Sequence, residues 1–154
     1  MAYLLGYQIA FYYLGGTALM AESGSPIEPD EKITAWLQSM KDSTELKVSN
    51  VTLGVLLSSA YKGGKTEIAK EGFETAFKDT APATLGDNLL RIDDDIIHEW
   101  AKFRYDSADG CEQLSAEIGL DVALCRFYNL TYVGPKTPSI EMILRGNILS
   151  PWEQ

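Results

Sequence analysis

The chain is poor in the residues that build metal and redox sites. It has one histidine, His98, and two cysteines, Cys111 and Cys125. No Ser-His-Asp or Cys-His arrangement can be argued from one histidine, and without a Cys-x-x-Cys or His-Cys cluster no structural zinc site is expected. Two cysteines make no disulfide framework and read as small residues of a reducing compartment. Basic residues are scarce as well: 13 Lys and Arg face 22 Asp and Glu, a net charge of -9. That field repels phosphate backbones and weighs against nucleic-acid binding. Long like-charge runs are missing, the longest being Asp93-Asp94-Asp95.

Residues 1–21 carry no charge, and Ala18-Leu19-Met20-Ala21 resembles a small-residue cleavage site. A signal peptide would begin with a positive region, which is missing. Gly6, Gln8, Gly15, Gly16 and Thr17 dilute the apolar run below what a membrane span needs. The expectation is a buried strand and then a buried helix in a cytoplasmic protein without a membrane segment. The sequons at Asn50 and Asn129 are then chance matches.

What is present is a globular composition, 45% hydrophobic over 154 residues, enough for one domain over 1–154. Tyr3 to Ala10 reads as a central strand. Asp30 caps a helix with Ile33, Trp36, Leu37 and Met40 on its apolar stripe. Leu46 to Ser49 is a strand, and Val51 to Tyr61 is an apolar segment stopped at Gly63-Gly64. A helix carries Ala69, Phe73, Ala76 and Phe77. Leu89 to Ile92 is a strand, and Asp93 to Asp95 open a helix that buries Ile96, Trp100 and Phe103. A helix from about Glu112 to Tyr128 aligns Leu114, Ile118, Val122 and Cys125. Leu130 to Val133 is a strand, Ile140 to Leu144 a short helix ending at Gly146, and 147–149 a last strand. Alternation of this kind predicts a mostly parallel sheet with helices on both faces.

Three constellations have plain explanations. Gly64-Lys65-Thr66 imitates the end of a phosphate loop, but Ser59 stands where the earlier glycine belongs. Asp94 and His98 share a helix face, and helix capping accounts for the aspartate. Lys62, Lys65, Lys70 and Lys78 interleave with Glu67, Glu71, Glu74 and Asp79, a solvated face. Tyr3, Tyr7, Phe11, Tyr12 and Tyr13 are denser than one strand needs. They pack a core, or line a pocket or a self-association surface.

Several segments together resemble the PIN domain, in its VapC and FitB toxin branch. Leu4 to Ile9 is similar to the first strand and its Asp-Thr-Asn turn. Ser49 to Leu56 is similar to the segment that usually reads Thr-Leu-Gly-Glu-Leu. Arg91 to Asp95 with Trp100-Ala101, Ala123 to Val133, and Ser150-Pro151-Trp152-Glu153 follow in family order. The resemblance implies a three-layer α/β/α sandwich around a mostly parallel sheet of about five strands. It also implies a ribonuclease whose acids hold Mg or Mn, and an antitoxin partner.

The acids are not there. The family positions fall on Gly6, Val55, Ile118 and Ser139, and the turn residues after the first are Tyr7 and Gln8. Gly134-Pro135-Lys136 stands in place of Thr-Arg-Asn. The expectation is a degenerate site with no metal and no catalysis, in a protein that binds an antitoxin or other protein, or a second copy of itself. The alternative is a Mg- or Mn-dependent ribonuclease using displaced acids, drawn from Glu117, Asp121 and Glu141. Four residues aligned in this way should line one cleft at the carboxyl ends of the strands.

Overall fold

The computed structural model describes residues 2–13, 30–40, 45–62, 88–106 and 114–153. The expected helix around Ala69 to Phe77, Gly64-Lys65-Thr66 and Cys111 lie outside them.

The first strand, β1, is Tyr3–Leu5, and helix α1 follows at once over Tyr7–Tyr13. The apolar run therefore holds two elements, not one strand reaching Ala10. Gly6 is the break between them, and its carbonyl accepts the first helical bond from the Ala10 amide at 2.9 Å. An unbroken apolar run does not distinguish buried strand from buried helix. Helix α2 covers Glu31–Ser39, and Asp30 caps it as expected. Strand β2 is Leu46–Ser49 and helix α3 is Asn50–Lys62. Strand β3 is Leu89–Leu90, and α4 is Asp94–Asp106, with the Asp93 carboxylate accepting from the Asp95 and Ile96 amides.

Helix α5 runs Ala116–Tyr128, shorter at its start than the sequence suggested because Ser115 caps it. It ends on Asn129 in the left-handed conformation, φ 55°. Strand β4 is Thr131–Val133, α6 is Pro138–Leu144, and β5 is Ile148–Leu149, followed by a 3-10 turn at Pro151–Glu153. Arg145 and Gly146 both take positive φ between α6 and β5.

The five strands form one sheet in the order β3-β2-β1-β4-β5, and every pairing is parallel. Side chains alternate across it. Leu4 and Tyr132 join Ile96, Val122, Leu124, Ile140 and Ile143 on the face covered by α4, α5 and α6. Leu5, Val48 and Val133 join Ile9, Ile33, Trp36 and Leu53 on the face covered by α1, α2 and α3. The expected three-layer α/β/α sandwich is present. No helix among the described residues is long and apolar enough to cross a membrane.

Candidate functional site

In an all-parallel sheet with helices returning across its faces, ligands collect beyond the carboxyl ends of the strands. Gly6 is the residue after β1 and Val55 lies in the second turn of α3, which begins directly after β2. Ile118 lies in the first turn of α5. That helix leads straight into β4, so its start is at the opposite, carboxyl edge. Ser139 is the second residue of α6, which begins after β4. The topology thus carries all four of these residues to one edge. Gly6 and Ser139 are buried there, and Val55 and Ile118 are half-buried.

At this edge glycines meet large aromatic rings. A Cβ placed on Gly6 would lie 2.7 Å from the Tyr132 hydroxyl oxygen and 2.9 Å from the Val133 carbonyl oxygen. One on Gly134 would lie 2.7 Å from a ring carbon of the same tyrosine. The space that a side chain at residue 6 needs is filled by the Tyr132 phenol. Tyr132 is only 2% exposed. Burial pushes its hydroxyl well above the usual tyrosine range, and the nearby Asp121, Cys125 and Tyr7 push the same way. A Cβ on Gly119, next to Ile118, would lie 2.7 Å from Nε1 of Trp100. The indole therefore lies directly against α5 beside Ile118.

Asp121 is taken up inside the protein. It is 2% exposed. The Ser49 hydroxyl donates to its Oδ1 and the Thr52 hydroxyl to its Oδ2, each at 2.5 Å. Ser49 Oγ in turn accepts from the Thr52 amide at 3.0 Å, capping the first turn of α3. Burial raises the Asp121 carboxyl to about 6, against the lowering pull of the two hydroxyls. No cation contributes to its balance. It is engaged with the core.

The other two displaced acids stay outside. Glu117 is exposed in the first turn of α5. Glu141 is exposed on α6 and pairs with Lys136 at 3.5 Å, which also reaches Glu153 at 3.9 Å. Among the described residues no three His, Cys, Asp or Glu side chains come together as a metal would require. Of the three displaced acids, Asp121 is turned into the core, which leaves Glu117 and Glu141 as the carboxylates exposed near this edge. Asp94 and His98 are both exposed, on α4.

The aromatic-rich segment divides. Tyr3 packs edge-on against Trp36, with centroids 5.9 Å apart, and Phe11 packs against Tyr12 at 5.4 Å. Tyr7 and Tyr13 remain exposed on α1. Of the two sequons, Asn50 uses its side-chain oxygen to accept from the Ile92 amide at 2.9 Å, and Asn129 accepts from the Asn147 amide group at 3.3 Å.

The sequence did not point to the roles of Tyr132, Trp100 or Ser49. One signal was available for Asp121: an acid inside Leu120 to Cys125, an otherwise apolar run on a helix, needs buried partners.

No protein-family model matches the chain, and no curated protein matches it. Solved structures do. The chain superposes on FitAcB from Neisseria gonorrhoeae with a TM-score of 0.69 and 18% identity, covering 99% of both chains. It superposes on VapBC2 from Rickettsia felis bound to a promoter DNA fragment with a TM-score of 0.61 and 15% identity, covering 97% of each. A toxin-antitoxin complex from Klebsiella pneumoniae gives 0.60 and 12%, covering 98% of each. At these identities the likeness is one of fold, and that fold is the PIN-like one implied by the resemblance.

Proposed function

We propose that this PIN-like fold works without metal chemistry, as a binding protein of toxin-antitoxin type whose partner is an antitoxin or another protein in the cytoplasm. The observation that carries this reading is the Tyr132 hydroxyl, 2.7 Å from where the first carbon of a residue-6 side chain would stand. A carboxylate at that place would have to displace a buried ring. The Trp100 indole against Gly119 and the internal engagement of Asp121 support the same reading. The antitoxin partner is supported by the fold neighbour from Klebsiella pneumoniae, a toxin-antitoxin complex. Self-association through the exposed Tyr7 and Tyr13 of α1 belongs to the same proposal, and sedimentation of the pure chain measures it.

A second reading has an observation of its own. Glu117 and Glu141 are exposed near the starts of α5 and α6, helices that both begin at the carboxyl edge. With waters completing the shell, two carboxylates could hold Mg or Mn and activate a water against RNA. Titration of magnesium or manganese together with an RNA cleavage assay separates the two. The binding-protein reading expects no saturable metal uptake and no cleavage above the no-enzyme rate. Micromolar metal affinity with cleavage, both abolished by Glu117→Gln or Glu141→Gln, overturns it.

A further inference from the structure

The sheet divides the helices into two layers, and Asp121 joins them. It projects from α5 in one layer and holds Thr52 in the first turn of α3 in the other. It also holds Ser49, whose neighbour Val48 points to the opposite face of β2. The joint is built entirely from one carboxyl group and two neutral hydroxyls. An isolated buried carboxylate is costly unless paired with a cation or fully hydrogen-bonded.

Among the described residues no cation neutralises it. On α5 the next titratable groups are exposed Glu117, one turn back, and buried Cys125, one turn on. From β4 comes Tyr132, with Tyr7 of α1 beyond it. The first two turns of α3, from Asn50, carry no titratable side chain. Lys47 of β2 adds nothing to the balance at Asp121. On α4, Glu99 is committed to Arg126 at 3.2 Å and Lys102 at 3.9 Å. Gly119 and Arg126 mark the side of α5 that meets α4, and helical geometry puts Asp121 on the other side.

We propose that Asp121, Ser49 and Thr52 form a proton-operated joint between the two helical layers. With a proton on Asp121 the joint carries no charge. Without it the two hydroxyl bonds are kept, but an uncompensated negative charge stands in the core and its desolvation cost falls on the folded state. The reading is independent of whether the edge binds a partner or a metal.

The direction follows from linkage. The folded carboxyl titrates at about 6 and the unfolded one at 3.8. Between those values the folded chain keeps a proton that the unfolded chain has released. The contribution is therefore fully present at the acidic end and is lost as pH rises to about 6. Across that window the folded-to-unfolded ratio changes by a factor on the order of 100 from this group alone.

The experiment compares denaturation midpoints of the wild type and Asp121→Asn at pH 5 and pH 7.5. The asparagine keeps the shape and stays neutral. The expected result is a wild-type midpoint that drops on going to pH 7.5, and a variant whose drop is much smaller. Carbon-detected NMR of the wild-type carboxyls supplies the second measurement: Asp121 titrates near 6, and the Thr52 amide shifts with the same midpoint. Identical pH profiles for the two proteins, or an Asp121 carboxyl that titrates in the ordinary range, overturn the proposal. If the variant does not fold, the wild-type NMR titration decides alone.

Discussion

A methyl group added at Gly6 would meet two obstacles of different kinds. One is the end of a side chain, the Tyr132 hydroxyl, and the other is backbone, the Val133 carbonyl that already accepts the Gly6 amide at 2.8 Å. A side chain can yield and a sheet backbone cannot do so cheaply. Gly6→Ala is therefore expected to destabilise the protein by about 1–3 kcal/mol in chemical denaturation. Removing the hydroxyl with Tyr132→Phe should recover part of that loss but not all of it. A double-mutant cycle should give a coupling of about 0.5–3 kcal/mol, and strictly additive effects would mean the two residues do not touch. The sequence singled out residue 6 only through the resemblance. Its close approach to Tyr132 lay out of reach, because Tyr132 is distant in the chain and no local spacing links it to Gly6. The same holds for Trp100 and Gly119. Asp121 was noticed only as an acid near Ile118, since burial depends on which helix face meets Ser49 and Thr52, a pairing that sequence spacing does not set.

At the scale of the element, α2 shows how one carboxylate organises two pieces of chain. Asp30 Oδ1 accepts from the Lys32 and Ile33 amides, and Oδ2 accepts from Trp152 Nε1 at 2.8 Å. Lys32 Nζ returns a bond to the Trp152 carbonyl at 3.1 Å. The cap was readable from Asp30 followed by an apolar stripe, whereas the clasp on the closing 3-10 turn was not. Asp30→Ala should cost about 0.5–2 kcal/mol as a lost cap. Trp152→Phe should keep the cap and lose only the clasp, so its cost should be smaller. The indole bond, with the amides and Lys32, holds the Asp30 carboxyl below its ordinary value of 3.8. Its stabilisation is present above that value and fades as pH falls through the lower folded one, opposite in sense to Asp121. An acid titration of stability in which Asp30→Ala loses the steep low-pH limb checks this. Elements bounded by clear caps or turns were the most legible: β2 at both ends, and α2 at its start. β1 was over-extended because its apolar character continues unbroken into α1.

At the scale of the whole molecule, the alternation of strands and helices made a layered parallel sheet readable, but not the strand order. That order is set by which crossover returns to which edge, and it places β1 in the centre between β2 and β4. The net charge of -9 opposes compaction near neutral pH, so added salt should raise the thermal midpoint at pH 7.5, and a flat or falling response would contradict this. The central place of β1 also has a kinetic consequence. Tyr3 pairs with Leu46 on one side and with Thr131 on the other. The first partner closes a modest loop, and the second closes most of the chain. Refolding should therefore run in two unequal stages. Assembly of β1 with β2 and β3 comes early, and a slow search then brings β4 and β5 onto the waiting edge. Until that search ends, β1 exposes an unpaired row of peptide groups, a template on which two incompletely folded copies could exchange strands.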